Sequence, residues 1–279
     1  MNIVIDMGGT NTRIGLTNNL KEFFVTEKFP TPSSQKEAHT KIREILSGKT
    51  DQIESIVLGV AGLVDYKNKN VISAPHINWI KDMSAQEITG LSNKDTRALK
   101  GIKIFNDAEL SGLAEAYQPY ASNFENVAYI TISTGVGGTI IRNKKPDTHA
   151  FNYEPGHIII DKSSGINEPV DNIRGSFESL CSGTAFYKKY NIQPKDCADT
   201  EVWQNYGMDL ADGLYTVTLL WQPDAIILGG SMTNQWSSFY EPLIERYTSY
   251  PSYFAHPTIL KSELKDMNGL LGGLKILAE

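Results

Sequence analysis

One pattern occurs twice in this chain and limits the folds open to it. Asn2-Ile3-Val4-Ile5 is a β-prone run that ends at Asp6. A glycine turn follows at Met7-Gly8-Gly9-Thr10, then a second run, Arg13-Ile14-Gly15-Leu16-Thr17. At Asn126 the layout begins again: Val127 to Ile132, a glycine turn at Gly135 to Gly138, and Thr139-Ile140-Ile141-Arg142. Later, Ala225 to Gly230 echoes Ile56 to Ala61. Short apolar runs joined by a tight glycine turn read as hairpins. Hairpins interleaved with helical patterns predict mixed α/β layers. Two halves with the same order of elements predict a duplicated α/β domain with a cleft between the copies.

The remaining elements fit that plan. Residues 23–29 read as a third strand. Ser33 to Leu46 carries Ala38, Ile42, Ile45 and Leu46 at helical spacing, with Pro32 and Ser33 at its start and Gly48 at its end. Ile53 to Val60 reads as a buried strand and Gly59 to Asp65 as its exit loop. Val71-Ile72 is a short strand. Pro75-His76-Ile77-Asn78-Trp79 is a loop, suited either to a small polar ligand on an apolar face or to plain anchoring by Trp79. Ile102 to Phe105 is a strand and Ala108 to Tyr117 a helix. In the second half, Ile158-Ile159-Ile160 reads as a strand. Ser176 to Ala185 reads as the end of one helix and the start of another. Met208 to Trp221 is a packed helix that feeds a strand at 225–228. Gly229-Gly230-Ser231 opens the next helical region, near Glu241 to Tyr247. Gly269 to Leu277 is a closing helix. A glycine inside a helix costs about 1 kcal/mol relative to alanine, so the Gly272-Gly273 pair predicts close packing.

Composition excludes some functions. The formal net charge is −6, whereas nucleic-acid-binding domains are usually basic. An acidic chain still binds ATP, because local amides and a metal hold phosphates. The start, Met1-Asn2-Ile3-Val4-Ile5-Asp6, has neither the basic segment nor the apolar core of a secretory signal. No apolar run approaches the roughly 20 residues of a membrane helix. Cys181 and Cys197 have no metal-site spacing and give no disulfide framework. The expectation is a cytoplasmic protein without nucleic-acid or membrane partners.

The chemistry concentrates at three places. Asn106-Asp107 ends a strand, which puts a carboxylate on the sheet rim where open α/β folds bind ligands. Gly8 and Gly9 let backbone N–H groups approach a phosphate with no Cβ in the way. Asp6, close by, is suited to a hydrated Mg²⁺, though a solvated aspartate beside an ordinary turn has the same sequence. Glu154-Pro155-Gly156-His157 is a polar loop whose histidine is either structural or functional.

Together these residues resemble the bacterial glucokinases and ROK-type hexose kinases of the sugar-kinase, actin-like ATPase superfamily. The resemblance runs from Ile3 to about Leu277. Its fold is α/β, with duplicated actin-like ATPase (ribonuclease H-like) domains and an interdomain cleft. The expected division is a smaller domain over 1–107, with the helix at 269–279 packed back on it, and a larger one over 108–268. By that resemblance Asp6, Gly8, Gly9, Thr10 and Asn11 belong to the first phosphate motif. Thr134 and Gly135 belong to the second, and Gly229 and Gly230 to the adenosine motif. Gly62, in a loop that carries Ala61 where proline is usual, closes on the sugar together with Asn78. Asn106 and Asp107 are the sugar-binding and catalytic pair, and Glu154, His157 and Glu178 clamp sugar hydroxyls. Gly269 to Gly273 is similar to the second interdomain connector.

The resemblance implies ATP and Mg²⁺ as cofactors, a hexose as substrate and a homodimer. The implied reaction moves the γ-phosphoryl group to a sugar hydroxyl, the 6-OH of glucose first, at the entry to glycolysis. N-acetylglucosamine, N-acetylmannosamine and fructose are the alternative acceptors. Two departures stand out. ROK kinases usually place cysteines after the glycine-histidine pair to bind zinc with that histidine. Here Asn167 to Glu178 holds no cysteine and Ser176 stands in the last such place, so no structural zinc is expected. His76 stands where the family often carries asparagine. Rival readings are a sugar-responsive repressor, which would need a DNA-binding segment before residue 6, a silent sugar sensor and a chaperone-like ATPase.

Overall fold

The computed structural model describes residues 1–48, 52–91, 101–163, 165, 169–253 and 255–279. By internal contacts the chain forms two compact units. The first is Met1–Ala114 with Pro146–Asn152 and Asp266–Glu279, and the second is Glu115–Lys145 with Tyr153–Lys265.

In the first unit β1 (Asn2–Met7) and β2 (Asn11–Thr17) form the expected hairpin, and β3 (Val25–Pro30) adds to its edge. Helix α1 (Gln35–Ile45) starts at Ser34, whose hydroxyl accepts the Glu37 N–H, and Gly48 follows it with φ +72°. Then come β4 (Ser55–Val60), β5 (Leu63–Asp65), β6 (Asn70–Ser73), β7 (Lys81–Ser84) and α2 (Ala85–Thr89). Strand β8 (Gly101–Asn106) runs directly into α3 (Asp107–Ala116). The main sheet has the order β3-β2-β1-β4-β8, with β1, β4 and β8 parallel. Ile3-Val4-Ile5 is fully buried because β1 is central and covered on both faces.

In the second unit β9 (Asn126–Ile132) and β10 (Val136–Arg142) repeat the hairpin, and β11 is Lys145–Pro146. Helices α4 (Phe177–Cys181) and α5 (Gly183–Tyr190) meet at Ser182. The long α6 (Thr200–Trp221), β12 (Ala225–Gly229), α7 (Trp236–Ser249) and β13 (Thr258–Lys261) complete it. The sheet order is β11-β10-β9-β12-β13, again with the last three parallel. Each unit thus repeats one topology, and each has its own apolar core. The chain closes with α8 (Asn268–Ala278), which belongs to the first unit.

Three sequence expectations need correction. Gly59 to Asp65 is not all loop, because Leu63–Asp65 pairs with β6 in a small separate sheet, β5-β6-β7. Strand β7 and helix α2 of that region carry no strong periodicity, and α2 is set by the Ser84–Glu87 capping box. Ile158 to Ile160 is not a strand: Pro155–His157 is a 3₁₀ turn, Ile159 makes one isolated bridge to Ser176, and its side chain is exposed. Helix α6 begins at Thr200, not Met208, capped by Asp199, and its buried row already includes Trp203, Tyr206 and Gly207. Asn167 of the cysteine-free stretch lies outside the described residues.

The glycine pair of α8 works as expected. A Cβ on Gly272 would lie 1.8 Å from the Leu110 carbonyl oxygen, and one on Gly273 would lie 2.2 Å from Val4 Cγ1. The helix therefore lies on the α3 backbone at Leu110 and on the Val4 side chain of β1.

Candidate active site

In the first unit, the turn between β1 and β2 is closed by Gly8 N–H donating to the Asn11 carbonyl at 3.1 Å. The Thr31 hydroxyl donates to the Gly8 carbonyl at 2.6 Å, and Thr31 N–H donates to the Thr10 carbonyl at 3.0 Å. Thr10 itself is exposed. Gly9 is a point of close approach: a Cβ there would lie 2.8 Å from His76 Cβ. The 75–79 loop thus reaches the first glycine turn through His76, while Trp79 donates to the Pro32 carbonyl and Asn78 stays exposed. Gly62 is equally constrained, with the Ser73 carbonyl 2.4 Å from where its Cβ would be.

Asp6 is buried near the end of β1, one residue before the fully buried Met7. Its carboxylate lies at the first turn of α8, where a Cβ on Gly269 would be 2.4 Å from it. The positive end of a helix favours an anion there. Arg13 stands 3.6 Å from Asp6 and donates to Asp266 at 2.9 Å, and Lys28 pairs with the other Asp266 oxygen. Burial nevertheless pushes the Asp6 carboxyl up to about 7, the charge of Asp107 adding to it and Arg13 opposing it.

Asn106 and Asp107 sit where β8 becomes α3. The Asn106 side chain accepts the Ala108 N–H at 2.8 Å and donates to the Gly62 carbonyl at 3.0 Å. Its backbone N–H donates to Glu109 Oε2 at 3.0 Å. This is the reciprocal capping arrangement, with asparagine as cap and glutamate three residues on. Tyr66 also donates its hydroxyl to Glu109 Oε2, and Glu109 is fully buried. Burial raises the Glu109 carboxyl to about 7, although the bonds from Tyr66 and Asn106 favour its charge. Asp107 is half-buried and accepts the Ala108 N–H at 3.0 Å. Desolvation raises it to about 6, against that backbone bond and the nearby His76. A carboxyl titrating there is ionised at neutral pH and is a better base than an ordinary aspartate.

In the second unit, the turn between β9 and β10 carries Thr134 and Gly135. Ser133 N–H donates to the Gly135 carbonyl at 2.9 Å, and Thr184 donates to the Thr134 carbonyl at 2.7 Å. The Glu178 carboxylate lies on this turn: it accepts the Val136 N–H at 2.8 Å, and a Cβ on Gly135 would be 2.5 Å from Oε2. Gly229 and Gly230 follow β12. Gly230 has φ +85°, and a Cβ there would meet the Ile132 carbonyl at 2.3 Å. Ser231 N–H then donates to Ser133 Oγ at 3.0 Å, tying this segment to the 133–135 turn.

His157 ends the 3₁₀ turn. Its Nδ1 lies 2.9 Å from Asp171 Oδ2, with the His157 side chain 45% exposed and that of Asp171 3% exposed. Burial opposes protonation of the ring, but the bond to Asp171 and the charges of Glu154, Glu178 and Asp171 outweigh it and raise its pKa. Glu154, His157 and Glu178 thus share one electrostatic neighbourhood. Asp171 was missed from sequence because it stands fourteen positions after its histidine, in a stretch without periodicity. Glu109 was legible in principle, since Asn106 and Glu109 have capping-box spacing. Tyr66 carries no local signal, whereas His76 was singled out in the 75–79 loop. Among the described residues no group of three His, Cys, Asp or Glu side chains could hold a metal ion.

Comparison with known proteins agrees with this reading of the fold. The chain is 22% identical to a glucokinase of Thermotoga maritima, covering 99% of this chain and 97% of that protein. It is 24% identical to an N-acetyl-D-glucosamine kinase of Yersinia enterocolitica, covering 96% of each. A ROK family glucokinase of Streptomyces griseus, solved in complex with glucose and AMPPNP, superposes with a TM-score of 0.75 at 21% identity, covering 99% of this chain and 98% of that one. The ROK family model matches residues 2–279. With the fold duplicated as described and that model spanning nearly its whole length, the chain belongs to the ROK family and has the actin-like ATPase fold.

Proposed function

We propose that this chain transfers the γ-phosphoryl group of Mg-ATP to the 6-hydroxyl of a hexose, with glucose first. The observation that carries this reading is Asp107, fixed at the β8–α3 junction by a capped backbone and raised to about 6 by desolvation. Phosphoryl transfer asks a protein mainly for positioning and charge stabilisation. Asp107 accepts the proton of the attacking hydroxyl. Asn106, Glu154, His157 and Glu178 bind other hydroxyls, with Gly62 and Asn78 in the loops that close on the sugar. Amides and hydroxyls of Gly8, Gly9, Thr10, Asn11, Thr134 and Gly135 receive phosphate oxygens, and Gly229 and Gly230 border the adenosine.

The donor set suits a divalent cation. The charge of Asp107 adds to the cost of ionising Asp6, and Asp6 remains high despite Arg13. Asp6 would hold Mg²⁺ through water, as hard oxygen ligands do. When bound, the ion neutralises phosphate charge. The glucokinase similarity supports glucose, and the N-acetyl-D-glucosamine kinase similarity keeps an N-acetylhexosamine as the second reading.

The test is ADP release with Mg-ATP against glucose, mannose, fructose, N-acetylglucosamine and N-acetylmannosamine, with Asp107→Asn alongside. One sugar should turn over. The variant should still bind it while kcat falls by about 10²–10⁴-fold. Turnover by the variant at the wild-type rate would remove Asp107 from the mechanism. N-acetylglucosamine as the preferred acceptor would replace glucose with the second reading.

A further inference from the structure

Asp171 belongs to no motif named above, yet both of its carboxylate oxygens are bonded. Oδ1 accepts the Ser179 hydroxyl at 2.7 Å and the Ile173 N–H at 3.0 Å. Oδ2 faces His157 Nδ1 at 2.9 Å. The Ser176 hydroxyl bonds it too, and these bonds hold its carboxyl below the usual range despite burial. It is therefore an anion that only accepts. The proton of the His157 ring must then sit on Nδ1, whatever the charge of the ring. A free neutral imidazole prefers its proton on Nε2, so Asp171 reverses the usual choice. Nε2 is the ring nitrogen that Asp171 leaves for a ligand; the side chain is 45% exposed and the charges of Glu154 and Glu178 act on it. The same bonds tie the His157 turn to α4, since Ser176 caps that helix and Ser179 and Glu178 lie in it.

We propose that Asp171 is a positioning residue for sugar binding: by accepting Nδ1–H it fixes the ring plane and tautomer of His157, so that Nε2 accepts a hydrogen bond from a sugar hydroxyl. This rests on the reading of His157 as a sugar ligand. It differs from a purely structural role in one respect. An isosteric amide at 171 keeps its oxygen toward Ser179 and Ile173, because both are donors. Its NH₂ then faces Nδ1, which must accept. The ring moves its proton to Nε2 and presents the wrong polarity, with the fold intact. The logic is the same as in a protease triad, where exchanging the buried aspartate for asparagine inverts the histidine tautomer.

The experiment uses the ¹⁵N-labelled full chain. Long-range ¹H–¹⁵N correlation reads the His157 tautomer with the ring neutral, and the His157→Ala spectrum assigns its signals among the five histidines. The wild type should show Nδ1–H, with the Nε2 resonance moving on addition of glucose or N-acetylglucosamine, whichever turns over. Asp171→Asn should show Nε2–H, an unchanged thermal midpoint, an unchanged KM for ATP and a sugar KM raised about tenfold or more, the usual loss when a buried site's hydrogen bond is mismatched. A wild-type spectrum with Nε2–H overturns the proposal without any variant, so poor folding of Asp171→Asn does not shield it. A raised sugar KM in His157→Ala beside a wild-type KM in Asp171→Asn overturns the proposal and leaves His157 a sugar ligand. Wild-type KM in both removes His157 from the sugar site, and the proposal with it.

Discussion

Glu109 shows how much of a site is set by a residue that touches no substrate. Its Oε2 receives two donors, while Oε1 is buried with no hydrogen-bond partner among the described residues. Its carboxyl is consequently raised to about 7 by burial. A carboxyl raised on folding binds more protons in the native state, so stability falls as pH climbs from its unfolded value near 4.5 through about 7. Glu109→Gln keeps an oxygen for Tyr66 and Asn106 and removes the titration. The stability difference between variant and wild type should therefore move in the variant's favour between pH 5 and 8, by up to about 3 kcal/mol. Urea unfolding at the two pH values reads it. A difference that does not change with pH would mean that Glu109 titrates normally.

At the scale of elements, the decisive contacts are made at glycines, against the Leu110 backbone and the Asp6 and Val4 side chains. Helix α8 lies on β1 and α3 because Gly269, Gly272 and Gly273 leave no Cβ in the way. At Gly272 the obstruction is the Leu110 carbonyl, which cannot rotate aside. Gly272→Ala should lower stability by about 1–3 kcal/mol or more, as overpacking does. Gly101→Ala, where nothing lies within 4 Å of the added carbon, should be neutral or slightly stabilising. Denaturant midpoints of the two variants make the comparison. Equal midpoints would show that α8 shifts away from α3 at little cost. Helix α6 teaches a related lesson: the row Trp203, Tyr206, Leu210, Leu214, Val217 and Trp221 is continuous, but Asn205 and Gly207 interrupt the pattern read linearly.

For the molecule as a whole, two units of the same topology each supply part of the proposed machinery. The glycine turn at residues 8–9 and the turn at residues 133–135 both fall between the first two strands of their unit, whereas Gly137 and Gly138, expected in the second turn, lie within β10. Among the described residues no helix is long and apolar enough to cross a membrane, and Cys181 and Cys197 are unpaired. His157 is braced by Asp171, which the Ser179 hydroxyl bonds in turn. Elemental analysis of the purified chain should accordingly find no stoichiometric zinc. One zinc per chain would require ligands beyond those described.

The sequence by itself determined the duplicated strand–turn–strand plan, and its resemblance to the ROK kinases singled out Asp6, Asp107, His157 and Glu178. The plan follows from local pattern: a run of β-branched residues makes a strand, glycine makes a tight turn, and a carboxylate at a strand end falls on the rim. The tertiary structure alone decided which residues face one another across long separations. Arg13 with Asp266, Tyr66 with Glu109 and His157 with Asp171 have no periodicity that links them. It also decided the proton affinities, because desolvation depends on what covers a carboxyl and not on its neighbours in sequence.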